Sequence, residues 1–195
     1  VVPPKGTLNI SVSSNSNRSE DKSNFVYNVY TDSGCTKLVS SLTVQNGSIS
    51  CQLAPGTYYV KLVNDVSGKN RLNSEYWLLD RYVKTAVINS SKTTTVSFAN
   101  YVYGKVLLRK TSEDNVVAGI PFFFDGNNDS ICYTTDSNGE ITALLPAGTY
   151  DIYEEFGEEN IYIDPGTKTV QVVLETTVNV GFTNRLDSTS HQIEH

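Results

Sequence analysis

Three short segments occur twice in this chain, in the same order, and that repeat limits the folds open to it. "GTLNISV" from Gly6 returns as "GKVLLRK" from Gly104, "LAPGTYYVKL" from Leu53 as "LPAGTYDIYE" from Leu145, and "VSFANY" from Val96 as "VGFTNR" from Val180. All of them alternate apolar and polar residues, the period of a half-buried strand. "FVYNVY" and "IPFFF" read as second strands, and "TVQVVLE" with "TTVNVGF" as a late strand pair. Asn46-Gly47 and Asn138-Gly139 read as hairpin turns. The spacing predicts an all-β chain of two tandem antiparallel β-sandwich domains, 5–100 and 104–186, followed by a tail, 187–195. Only Tyr101 to Tyr103 joins the domains, which predicts a stiff end-to-end junction. The first domain carries an extra stretch, "RLNSEYWLLDRYVK", readable as a short helix or as an excursion covering a sheet edge.

Charge and composition remove several function classes. The formal net charge of −6 over 195 residues argues against nucleic acid and anionic membrane as partners, since both require a basic face. No apolar run reaches the roughly 18 residues of a membrane span, so no membrane insertion is expected. The opening "VVPPKG" reads as linker from something longer, and Lys5 within it as spacer. Cys35, Cys51 and Cys132 make neither a CxxC pair nor a zinc spacing. A bridge between Cys35 and Cys51 and separate half-buried thiols both fit. "DGNNDSICYTTD" places oxygens at Asp125, Asn127 and Asp129 but lacks the glycine and terminal glutamate of a calcium loop, so an ordinary polar turn is expected. His191 and His195 lie in the polar tail, where disorder is expected, and no Ser/His/Asp or Cys/His arrangement or phosphate loop occurs. Neither a cofactor nor a metal is expected.

Strand parity isolates three positions. In the first domain Leu8, Ile10 and Val12 share one face, as do Tyr58, Val60 and Leu62, and Val96, Phe98 and Asn100. Their counterparts are Val106, Leu108 and Lys110; Tyr150, Ile152 and Glu154; Val180, Phe182 and Asn184. The second domain therefore replaces apolar Val12 and Leu62 with Lys110 and Glu154, both facing inward beside Asn184. An unpaired buried charge costs several kcal/mol. Desolvation favours a neutral amine and a protonated acid, and a neutral amine beside an acid-polarised carboxamide can attack it. Lys110 is then the nucleophile, Asn184 the electrophile and Glu154 the proton-shuttling acid, with a Lys–Asn isopeptide bond as product. Lys105 and Glu155 fall on the opposite parity. The competing reading has Lys110 snorkelling to solvent, Glu154 at the surface and Asn184 as a cap.

"GKVLLRKTSEDN…AGIPFFF", "TTDSNGEITALLPAGTYDIYEE" and "VGFTN" together resemble the Cna protein B-type domain over nearly all of 104–186. That resemblance implies a prealbumin-like, immunoglobulin-like sandwich of Gram-positive surface adhesins and pilins. In such domains a lysine, a glutamate and an asparagine at these motif positions form an intramolecular isopeptide bond, implying the same roles for Lys110, Glu154 and Asn184. The first domain resembles the same family through "LAPGTYYV" and "VSFAN". It keeps Asn100 but departs at Val12 and Leu62, so no such bond is expected there. The expected function is a stalk or spacer module of an adhesin or ancillary pilin, with a single-turnover self-reaction and no enzymatic activity. Expected partners are other domains or subunits of the adhesin or pilus. The expected location is the extracellular, cell-wall-anchored surface, with the anchor signal outside this sequence. The alternative is a ligand-binding module contacting a host extracellular-matrix protein or glycan through Tyr76 and Trp77; burial of these aromatics would favour the spacer.

Overall fold

The computed structural model describes residues 1–188. The chain divides into two compact units, the division falling between Val102 and Tyr103. The first unit contains β1 (Gly6–Ser13), β2 (Phe25–Tyr30), β3 (Leu38–Thr43), β4 (Ser48–Leu53) and β5 (Gly56–Asp65). It continues with β6 (Trp77–Leu78), β7 (Lys84–Ile88), β8 (Thr93–Ala99) and β9 (Tyr101–Val102). The second unit contains β10 (Gly104–Ser112), β11 (Pro121–Gly126), β12 (Asp129–Thr134) and β13 (Glu140–Leu145). After these come β14 (Gly148–Glu154), β15 (Tyr162–Ile163), β16 (Lys168–Val172) and β17 (Thr177–Leu186). Two short 3-10 turns, Ser19–Lys22 and Arg71–Asn73, are the helical elements among the described residues.

Each unit is a sandwich. In the first, the order β4-β1-β8 faces β3-β2-β5-β7; in the second, β13-β10-β17-β15 faces β12-β11-β14-β16. The ladders are antiparallel except for two parallel pairs that include each unit's first strand, β1 with β8 and β10 with β17. Alternation fills the space between the layers. Tyr27 on β2 packs on Phe98 of β8 with ring centroids 4.5 Å apart, and Phe122 on β11 on Phe182 of β17 at 5.0 Å. Full burial of one such side chain stabilises by about 1.5–3 kcal/mol.

The repeated landmarks have local reasons. A Cβ on Gly6 would overlap the carbonyl of Asn89 and the side chain of Ile88, and one on Gly104 would overlap Val172 and Val173. Only glycine lets the opening strand pass so close to the end of the penultimate strand. In the paired "GTY" segments Tyr58 donates to the Ala54 carbonyl at 2.7 Å and Tyr150 to the Pro146 carbonyl at 2.8 Å. Both hydroxyls fasten the preceding turn to the strand.

The structure departs from the sequence expectations in three places. Asn46-Gly47 closes a two-residue turn, with Gln45 and Ser48 bridged antiparallel across it, but β3 and β4 on either side go to different sheets, and Asn138-Gly139 likewise joins strands of different sheets. The left-handed conformations at Asn46, Gly47 and Gly139 turn a corner between layers, a job that requires the same local φ as a hairpin. The hairpin of the second unit instead turns at Asn127 and Asn128, both left-handed, between paired strands β11 and β12. Asp125 and Asp129 flank that turn. The "late pair" β16 and β17 also divides between the two layers, β16 pairing with β14. Finally, the stretch before β7 is not peculiar to the first unit. It forms the turn Arg71–Asn73 and then β6, which pairs with β9, while β15 of the second unit pairs with β17.

Candidate functional site

Register alone relates the two units. Val12 lies opposite Phe98 in the β1–β8 pair, and Lys110 opposite Phe182 in the β10–β17 pair. Tyr27 lies opposite Leu62, and Phe122 opposite Glu154. Trp77 pairs with Val102 and Tyr162 with Leu186, each partner two residues beyond the buried asparagine of its unit. Lys110 thus occupies the place of Val12, Glu154 that of Leu62, Phe122 that of Tyr27, and Tyr162 that of Trp77.

The three residues singled out by parity meet inside the second unit. Lys110, Glu154 and Asn184 are 1 %, 6 % and 1 % exposed, respectively, on β10, β14 and β17. Lys110 therefore does not snorkel, and Glu154 is not a surface side chain. Lys110 Nζ stands 2.9 Å from Glu154 Oε1, close enough for an ion pair but off the direction of a hydrogen bond. Asn184 Nδ2 donates to the same oxygen at 3.0 Å. Lys110 Nζ, Glu154 Oε2 and Asn184 Oδ1 have no hydrogen-bond partner among the described residues. Buried polar atoms are nearly always hydrogen-bonded, so three without such a bond in one cluster single this place out. The Lys110 backbone is fixed by its N–H, which donates to the Gly139 carbonyl at 2.7 Å. Gly139 itself has φ +77° and leaves no room for a Cβ against the Lys110 carbonyl.

A fourth residue completes the surroundings. Tyr162 of β15 presents its ring 5.8 Å from Lys110 Nζ, and its hydroxyl donates to Asp114 Oδ2 at 2.6 Å. Ser112 donates to Asp114 Oδ1 at 2.5 Å, as does the Val116 N–H at 3.1 Å. Hydrogen bonds from Ser112, and then from Tyr162, lower the Asp114 carboxyl to about 2. Parity reasoning missed Tyr162. Its signal, one apolar alternation in "NIYID", is too short to read as a strand.

In the first unit Val12 stands where the second has Lys110, and the amine of Lys84, 5.5 Å from the Phe98 ring centroid, is ion-paired with Asp80 at 3.1 Å. Asn100 is fully buried, but its carboxamide is saturated: Nδ2 donates to the Tyr27 hydroxyl at 3.1 Å, and Oδ1 accepts from the Asp80 N–H at 3.0 Å. Charge is buried elsewhere in that unit, where the sequence had shown nothing. Arg71 is 1 % exposed, with its guanidinium 3.7 Å from the Phe25 ring centroid and 5.1 Å from that of Trp77. It donates to Asp65 through Nε and Nη2 at 2.9 and 2.6 Å, and to the Glu20 and Ser23 carbonyls at 3.2 and 2.7 Å. Burial pushes the Asp65 carboxyl up, but the Arg71 hydrogen bonds outweigh it and hold the group well below the usual carboxylate range. Trp77 is buried against this arginine. The remaining candidates stand apart from both clusters. Cys35, Cys51 and Cys132 are free thiols, Lys105 and Glu155 lie outside the Lys110 cluster, and His191 and His195 fall outside the described residues.

No protein-family model matches this chain, and no curated protein does. Solved structures do resemble it. The Bacillus anthracis TIE protein is 18 % identical over 94 % of this chain, with a TM-score of 0.48, and this chain spans 34 % of that structure. The minor pilin GBS52 of Streptococcus agalactiae is 17 % identical, covering 93 % of this chain and 96 % of its own, with a TM-score of 0.36. The shaft pilin SpaA of Lactobacillus rhamnosus GG is 9 % identical, covering 94 % and 98 %, with a TM-score of 0.38. At these identities and scores the functional reading rests on the chain's own geometry: an all-β chain whose second sandwich encloses Lys110, Glu154 and Asn184.

Proposed function

We propose that this chain is a structural spacer module of a Gram-positive surface adhesin or pilus, and that its second unit is closed by an autocatalytic isopeptide bond between Lys110 and Asn184, assisted by Glu154. The observation that carries this reading is the buried cluster itself, with an amine and a carboxamide held on one carboxylate oxygen. As a plain ion pair it would be poor stabilisation, because desolvating two charges offsets most of their attraction.

The chemistry follows from the atoms present. Moving one proton from the Lys110 ammonium to the Glu154 carboxylate removes both charges from an apolar interior. A half-turn of the Asn184 amide then brings Oδ1 to the acid, which donates to the carbonyl. The Nζ lone pair adds to Asn184 Cγ, the Cγ–Nδ2 bond breaks, and Glu154 relays the amine's proton to the departing nitrogen. Ammonia leaves, and one Nζ–Cγ amide bond remains. Holding the reactants in place replaces a large part of the barrier.

The cross-link would close a loop of roughly 75 residues, adding about 4 kcal/mol by loop entropy. Of the two aromatics on which a ligand-binding reading would centre, Trp77 is buried, which supports the spacer, while Tyr76 is half-buried and Leu78 and Tyr82 of the same segment are exposed. Intact mass tests the bond. Wild type is expected to be lighter than its sequence by one ammonia, and Lys110→Ala and Glu154→Ala are expected to show no deficit. A wild-type mass equal to the sequence mass would overturn the proposal, and two ammonia losses would show that the first unit reacts as well.

A further inference from the structure

Tyr162 is not one of the three reacting groups, yet it is the aromatic neighbour of the reacting amine and is held from two directions. Its backbone pairs with Leu186, two residues past Asn184, and its hydroxyl is tied to Asp114 beyond the end of β10. The ring therefore spans the ends of the two strands that carry Lys110 and Asn184. Tyr162 and Glu154 both line an open cavity of about 370 Å³, together with Ile120, Pro121, Phe156 and Ile161. Tyr162 thus has both solvent and the Lys110 amine as neighbours.

We propose that Tyr162, tethered by Asp114, is a positioning residue for the cross-linking reaction: a lid that keeps water from the Lys110 amine and holds it against the Asn184 carboxamide. The inference rests on the isopeptide reading given above. Two effects of the ring oppose each other. Facing an ammonium, an aromatic ring favours the charged, unreactive form, whereas excluding water favours the neutral nucleophile. At 5.8 Å the ring is near the outer limit of about 6 Å for cation–π attraction, so exclusion of water dominates. The ionisable groups facing the amine are Glu154 from β14 and Tyr162 from β15, with Asp114 behind the tyrosine. The register neighbours Phe122 and Phe182 are apolar. The same position in the first unit holds Trp77, which covers Arg71, so the aromatic cover is common to both units while the covered cation differs.

The test follows ammonia loss by intact mass while the full chain refolds from denaturant at neutral pH, with refolding itself followed by Trp77 fluorescence and circular dichroism. Tyr162→Ala is expected to slow the loss at neutral pH by about tenfold to a hundredfold, the scale on which misplaced groups act. Refolding itself should keep its wild-type rate, because the lid acts on the amine and not on the assembly of the sandwich. Tyr162→Phe, which keeps the ring but loses the Asp114 tether, should react more slowly than wild type and faster than Tyr162→Ala. If Tyr162→Ala does not refold, Tyr162→Leu takes its place. Ammonia loss at the wild-type rate in the ring-deleted variant, or slowing that only tracks slower refolding, would overturn the lid while leaving the bond intact. No ammonia loss from wild type would remove the isopeptide reading, and the lid with it.

Discussion

Asn100 and Asn184 occupy equivalent places in two related sandwiches, and their neighbours give them opposite roles. Asn100 has both ends of its carboxamide satisfied, by Tyr27 and by the backbone of Asp80, and acts as a strut. Phe122 stands where the first unit has Tyr27, so the second unit offers no hydroxyl from that place, and Asn184 donates to Glu154 instead. Burial pushes the Tyr27 hydroxyl up from 10.0, and the bond to Asn100 only partly offsets this, so the phenol stays protonated throughout the neutral range. Tyr27→Phe should therefore destabilise the first unit by about 1–3 kcal/mol, the cost of leaving a buried donor unsatisfied. Earlier melting of the first unit in calorimetry, with the ammonia deficit of the second unit unchanged, is the expected result.

Arg71 joins elements that the β-ladders leave separate. It links the 3-10 turn at Ser19–Lys22 to the end of β5 and to Trp77 on β6. Removing one partner of a buried pair strands the other, so Arg71→Leu should cost the first unit about 3–5 kcal/mol. Chemical denaturation of the full chain measures this as a shift in the first transition. The pair also sets an acid limit. The folded Asp65 carboxyl lies below its ordinary value of 3.8, so the folded state binds its proton less readily than the unfolded chain does. Its contribution is fully present above that value and is lost as pH falls through the folded value. First-unit stability should decline on acidification below the ordinary carboxylate range, and Arg71→Leu should flatten that decline.

At the scale of the whole molecule, the parallel pairing of β1 with β8 and of β10 with β17 determines how each unit meets tension. Chain enters β10 at Gly104 and leaves β17 at Leu186, so pulling on the ends of the second unit shears two parallel neighbours past each other. Under the proposed cross-link of Lys110 to Asn184, force would pass from β10 directly into β17, and the chain between them would carry none. The first unit resists the same shear through the hydrogen bonds of β1 and β8. Heating should give two transitions, the first unit unfolding earlier, and Glu154→Ala should bring the second transition down by the roughly 4 kcal/mol of the lost loop closure. Single-molecule stretching should release the full length of the first unit but only the few residues outside the cross-link from the second. Full extension of both units in wild type would contradict this.

The alternation of side chains was enough to locate strands, to assign faces, and to show that Lys110, Glu154 and Asn184 point into one interior, because parity is a property of each strand alone. The two copies could be aligned on their glycines and "GTY" segments for similarly local reasons: a close backbone approach in one case and a hydroxyl tied to its own turn in the other. Partner choice is not local. Whether the strands on either side of the Asn46-Gly47 turn stay paired, whether β8 and β17 run parallel to the opening strands, and whether Arg71 lies under Trp77 depend on which distant segments share a layer. Tyr162 became visible for the same reason. Two residues of strand are too few to show a period, and only their pairing with β17 places that ring beside the Lys110 amine.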